Sequence, residues 1–375
     1  MFFTTITDNP ESSLKSKSVY LKSSNSNGRI YGLDILRAIA ILLVIYVHAS
    51  NYFPGRSFYI LGDGVTVFFV LSGFLIGKIL FRTIDKGLGR YELIKFWYRR
   101  WLRTLPAYFA VITLVMLYTH KFYPSYYTFS QNIFSGDLKF YGESWSLSVE
   151  EWFYLLVPII FFLTAQFSKT EYLFFWIISI ILGVSFYRVL LTDTNMTIEV
   201  FDSVIRKAVT TRMDSIMYGV LAAYIFTYKP SIWTRLKVLF PIGLVLWTIT
   251  IFNRNFFGFN TFSIYCTLSM QSIATFCVIP FLSNLKSGKG IVFKSFTFVS
   301  MISYSMYLLS GTPASLILQI DRIQSYTRSS SWFSLIIYLL ISFFGAYLLY
   351  RCIEKPFMNL RDWKIRMFTS KVSRY

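Results

Sequence analysis

Apolar runs of membrane-spanning length recur along this chain, at approximately 33–53, 60–81, 104–119, 145–166, 171–191, 212–228, 233–252, 262–285, 297–319 and 332–352. About 20 apolar residues suffice to cross a bilayer as a helix. The chain is 55% hydrophobic and only 15% charged, too little charge to cover the surface of a soluble protein of this length. The pattern predicts an all-α polytopic membrane helix bundle of about ten transmembrane helices. A net charge of +19 would suit a nucleic-acid partner, but position argues against one. Most of the Lys and Arg sits in short segments between apolar runs, where topology signals face anionic lipid.

Alternating the runs across a bilayer gathers the basic tail, 82–103 and 351–374 on one side. By the positive-inside rule that side is the cytosol, so both termini are expected to be cytosolic. Residues 1–32 read as a polar, mobile cytosolic tail without a cleavable signal peptide. Residues 33–356 read as the membrane domain and 357–375 as a basic cytosolic tail. The three cysteines, Cys266, Cys277 and Cys352, show neither a disulfide framework nor a metal-ligand spacing, and no metal site is expected.

The first run, LDILRAIAILLVIYVHASNYF, carries Arg37 and His48. An ionisable side chain at membrane depth is costly and marks a functional site by default. Eleven residues at 100° each bring the two onto one helix face, roughly 16 Å apart along the axis. Asp34 lies one turn before Arg37 and can pair with it. Snorkelling of Arg37 to the headgroups is the plain alternative.

Three further stretches carry chemistry. In FWYRRWLRTLP, Arg100 and Arg103 stand i,i+3 and can form a joint guanidinium surface suited to phosphate; anchoring at the inner headgroups would account for the same residues. In SWSLSVEEWFYLLVP, Glu150 and Glu151 lie about two turns inside a span, at the depth expected for His48, with Trp145 at the span's outer end. In GVTVFFVLSGFL, Asp63 precedes the span, and Ser72 and Gly73 offer small side chains where helices approach or unwind. Arg212 and Asp214 stand i,i+2 and cannot face each other within a helix, so their partners must come from other spans. Ser310 is a lone intramembrane serine of the kind that bonds back to its own helix.

These segments together resemble the acyltransferase-3 family of integral-membrane acyltransferases. The resemblance runs through LDILRAIAILLVIYVH, FFVLSGFLI, RRWLRTLP, WSLSVEEWFYLLVP, RMDSIMYGVLAAY, ISYSMYLL and IEKPF, in that order. It implies transfer of an acyl group, usually acetyl from acetyl-CoA, to hydroxyls of extracytoplasmic glycans. It implies that His48 is the catalytic histidine and that Arg37, Arg100, Arg103 and Glu150 are functional. Two positions depart from the family pattern: Thr66 stands where many relatives have an acid, and Ser310 where many have histidine. The chain is also expected to lack the esterase-like domain that some relatives carry.

The expected mechanism follows. Arg37, Arg100 and Arg103 hold the phosphates of acyl-CoA, a co-substrate rather than a bound cofactor, at the cytosolic mouth. The pantetheine arm threads inward, and His48 acts as general base toward the acceptor, with Glu150 orienting the ring. Glu151 and Asp63 remain open as ring partners, and an acyl-histidine relay remains open as the route. Trp145 lines the acceptor entrance; Asp34, Asp63 and Ser72 support the site. The acceptor is a lipid-linked or surface polysaccharide, and the location a bacterial cytoplasmic (inner) membrane, multi-pass. The competing class is a glycan-lipid flippase or other transporter.

Overall fold

In the computed structural model the described residues are 29–50, 63–87, 89–136, 138, 140–167, 171–320 and 331–372. The expected tail over residues 1–28, and the end of the first run beyond Ser50, lie outside them. Among the described residues there is no strand. Eight helices are long and apolar enough to cross a membrane. They are α1 (Tyr31–Ala49), α2 (Gly64–Ile84), α3 (Arg90–Thr119), α4 (Ser144–Phe167), α5 (Tyr172–Leu191), α7 (Pro230–Phe256), α9 (Gly290–Leu309) and α10 (Trp332–Trp363). The other two expected spans form helices of 16 residues each, α6 (Met213–Tyr228) and α8 (Thr267–Leu282). At 1.5 Å per residue these are about 24 Å long.

The basic FWYRRWLR stretch continues the third helix, which runs unbroken for 30 residues with Pro106 inside it. The last helix likewise runs on past the expected membrane boundary: Lys355–Val372 is helical. Two π-helical stretches, Ile341–Gly345 and Tyr350–Glu354, interrupt α10. Each inserts a residue into the helical repeat, and the second leaves Glu354 buried, accepting from Ser305 Oγ at 2.9 Å.

The most extensive helix pair is α2 with α6. Hydrocarbon gives helices no hydrophobic reason to associate, so membrane helices gain from close packing at small residues. A methyl group at Gly73 would overlap the backbone carbonyl of Ile216, and one at Gly219 would overlap that of Val70. The two glycines let the backbones touch, which holds α2 against a helix none of whose residues is fully exposed. Polar groups lock the same junction. Asp63 caps α2, accepting from Val65 N at 3.1 Å and from Thr66 Oγ1 at 2.9 Å. Fully buried Arg212 donates to Thr66 Oγ1 at 2.7 Å and stands 3.6 Å from Asp63. Asp214 pairs with Arg188 of α5 at 2.7 Å. Thr66 thus connects an arginine to an acid one turn away.

Candidate active site

Three cavities follow one another through the bundle. The first, about 320 Å³, is walled by Arg29, Asp34, Arg37, Lys78, Arg103 and Glu354 among others. The second is a neck of about 80 Å³ between Arg37, Ser72, Arg100, Arg103, Glu150 and Tyr304. The third, about 270 Å³, holds His48, Asp63, Glu143, Trp145, Arg206 and Lys207. Adjacent cavities share walls. Arg37 and Arg103 border the first and the neck, while Val65 and Tyr307 border the neck and the His48 chamber. The helical spacing that put Arg37 and His48 on one face of α1 therefore sets Arg37 beside the first cavity and the neck, and His48 in the third cavity.

The mouth chamber differs from expectation in two ways. Asp34 does not pair with Arg37: its carboxylate takes Arg29 at 2.9 and 3.1 Å and Ser300 Oγ at 2.8 Å. Arg100 does not line this chamber. It stands in the neck, where it donates to Glu150 at 2.9 Å, contacts the Tyr154 hydroxyl and lies 4.1 Å from the Tyr154 ring centroid. Arg100 and Arg103 still share the neck, but Arg100 is committed to Glu150 and Arg103 alone of the two reaches the mouth chamber. Among the described residues, none accepts a hydrogen bond from, or forms an ion pair with, the guanidinium of Arg37 or Arg103. These two cations face the chamber with their donors uncommitted, as a phosphate site requires.

Glu150 is in consequence not the partner of His48. It accepts from Arg100 and from Tyr154 at 2.8 Å, and Tyr154 in turn lies 2.9 Å from Ser72 Oγ. Ser72 is therefore part of the polar lining of the neck. Glu150 lines the neck and His48 the next cavity, and which way α4 turns its acids is set by Arg100 and Tyr154 rather than by spacing along the chain. Glu151 is also elsewhere, accepting from Trp101 at 3.1 Å and Thr104 at 3.2 Å.

The ring of His48 is held by Ser310 instead. Ser310 Oγ lies 3.1 Å from His48 Nδ1 and donates its own proton to the carbonyl of Tyr307 at 3.1 Å. A hydroxyl has one proton; when it goes to Tyr307 the oxygen accepts from Nδ1–H, which leaves Nε2 the lone pair a general base needs. The back-bonding expected of Ser310 is present, and it is what orients the imidazole.

Two acids share the chamber with His48: Asp63, which the sequence offered, and Glu143, which it did not single out. One carboxylate oxygen of Glu143 accepts from Thr312 N at 2.6 Å, and the other is buried without a partner among the described residues. Gly311 makes room for it, since a methyl group there would fall on the carboxylate. The turn Ser310–Gly311–Thr312 thus positions both the imidazole and the acid. Tyr307 completes the wall, donating to Glu143 O at 2.8 Å and lying 2.6 Å from Ser146 Oγ. Trp145 lies in the same chamber with Arg206 5.2 Å from its ring centroid. Arg206 and Lys207, both paired with Asp202, bring positive charge to the chamber. The only sequence signal for Glu143 was its place just before SWSLSVEE, which reads as an ordinary interfacial acid.

Fold and cavities together define a multi-pass membrane protein built around a polar passage with a histidine at one end. This chain belongs to the acyltransferase-3 family: the family model, described as an acyltransferase domain, matches residues 30–351. It is similar to the O-acetyltransferase OatA of Staphylococcus aureus, 27% identical over 318 residues that cover 74% of this chain and 49% of that one. It is also similar to the peptidoglycan O-acetyltransferase OatA of Listeria monocytogenes, 33% identical over 148 residues, 34% of this chain and 23% of the relative. The chain therefore spans about half or less of the length of these curated relatives. No solved structure matches it.

Proposed function

We propose that this chain is a transmembrane O-acyltransferase that moves an acetyl group from cytosolic acyl-CoA to a hydroxyl of an extracytoplasmic glycan, from the cytoplasmic membrane of a bacterium, with both termini in the cytosol. Family membership and the O-acetyltransferase names of its relatives support the class of reaction. The observation that carries the direction of transfer is the shared walls of the three cavities. Uncommitted guanidinium groups stand at one end and an imidazole at the other. The neck between them, about 80 Å³, is the smallest of the three cavities, and in this reading it takes the extended pantetheine arm while the nucleotide stays in the mouth chamber.

In this reading Arg37 and Arg103, with Arg29 and Lys78 nearby, hold the phosphates in the mouth chamber. The thioester carbonyl reaches the His48 chamber. His48 Nε2 takes the proton of the acceptor hydroxyl as its oxygen adds to the carbonyl carbon. Arg206 and Lys207 supply positive charge where the tetrahedral oxyanion forms. When the C–S bond breaks, the imidazolium returns the proton to the departing thiolate, giving CoA thiol and the ester. Glu143, with one uncommitted oxygen, stabilises the imidazolium through space.

The test uses purified protein in proteoliposomes with radiolabelled acetyl-CoA on the mouth side. Label should appear as a base-labile ester on glycan supplied at the other side, and His48→Ala should abolish it while insertion is unchanged. Glycan movement without any ester would instead identify a transporter.

A further inference from the structure

A fourth cavity, about 470 Å³, opens beside the His48 chamber, and the two share Val47, Asp63 and Arg206 as walls. It is formed where the π-helical turn Phe201–Arg206 meets the ends of α7 and α8. Its size is that of a small-ligand site.

Three features of its lining identify what it fits. Gln271, on α8, is 94% buried by its 6% exposure, and its side-chain oxygen has no partner among the described residues. Whichever way the amide is turned, a buried polar atom there awaits a ligand group. Phe201 and Phe259 meet with ring centroids 5.3 Å apart and offer an apolar face. The charges are mixed, Glu199 and Asp202 against Arg206 and Arg254, with Asp63 beside its own partner Arg212 at 3.6 Å, so the cavity favours neither an anion nor a cation. An uncharged ring with hydroxyls on its rim and C–H bonds on its faces satisfies all three. Asp202 and Arg206, ion-paired to each other, stand at the doorway to His48.

We propose that this cavity binds the sugar ring of the acceptor, with Gln271 bonded to one of its hydroxyls and Phe259 against its face, so that a neighbouring hydroxyl reaches His48 past Arg206. This inference rests on the acyltransferase reading above and adds where the acceptor sits.

The experiment measures initial transfer rates in proteoliposomes while glycan and acetyl-CoA are varied separately. The glycan is surface material from cells lacking this chain, stripped of esters with mild base. Gln271→Leu and Phe259→Ala should each raise the half-saturating glycan concentration by about tenfold, the scale of one lost hydrogen bond or contact. The half-saturating acetyl-CoA concentration should not move. Wild-type glycan dependence in both variants would overturn the inference and leave the acyltransferase reading standing. A parallel shift in acetyl-CoA dependence would also overturn it, because the wall would then be merely structural. Absence of any ester with the wild-type chain would remove the acyltransferase reading, and the inference with it.

Discussion

Ser310 holds the ring of His48: its Oγ lies 3.1 Å from Nδ1 and 3.1 Å from the carbonyl oxygen of Tyr307. A residue on α1 and a residue 262 positions later thus meet at the imidazole. Ser310→Ala should lower the maximal transfer rate on the order of tenfold, the worth of one orienting hydrogen bond. The half-saturating acetyl-CoA concentration should stay the same. Ser310→Thr, which keeps the hydroxyl, should recover most of the rate. Steady-state kinetics on the three proteins check this.

Gly311 and Glu143 occupy contiguous space. Gly311→Ala should therefore lower stability by roughly 1–3 kcal/mol, the range for overpacking a filled site. The double variant Gly311→Ala with Glu143→Ala should regain that stability, because the two changes share one steric conflict. Transfer should remain lost, since the carboxylate is gone. Thermal unfolding in detergent, set beside transfer rates, separates the two effects.

The three arginines should divide by role. Arg37→Ala and Arg103→Ala should each raise the half-saturating acyl-CoA concentration while the membrane fold persists, because neither leaves a partner stranded. Arg100→Ala strands Glu150 in the neck and should lower stability by roughly 3 kcal/mol. A titration of acyl-CoA against each variant, with a melting curve for each, distinguishes a donor contact from a structural pair.

At the α2–α6 crossing, Gly219→Ala should lower stability by roughly 1–3 kcal/mol, because the added methyl meets the carbonyl of Val70 rather than a side chain that can turn aside. Gly183, on α5, has open space where a Cβ would go, and Gly183→Ala should leave the melting temperature nearly unchanged. Paired melting curves in one detergent test the contrast.

Helical periodicity made Arg37 and His48 legible from sequence, because both lie on α1 and a single helix fixes their relative direction. The spans themselves were legible from hydropathy. Which carboxylate meets His48 was not. Similar depth puts Glu150 and His48 on one level, but Arg100 and Tyr154 of the neck take the carboxylate. Rotation of one helix against another is set by packing partners, and no spacing within a span reveals it. Glu143 was hidden for the same reason, since what buries it is Gly311 and Thr312, about 170 residues away along the chain. The fourth cavity was hidden further still, because its unsatisfied atom belongs to a glutamine that reads as ordinary span interior.

The neck of about 80 Å³ carries a consequence for traffic. On the reading proposed here the bulky head of CoA waits outside, and once its cargo has left, the carrier must back out the way it came. The bilayer is then crossed by a bond changing owners rather than by a solute changing sides. A cell so equipped decorates its exterior without exporting an activated precursor, and without opening a hole through which its ion gradients could drain.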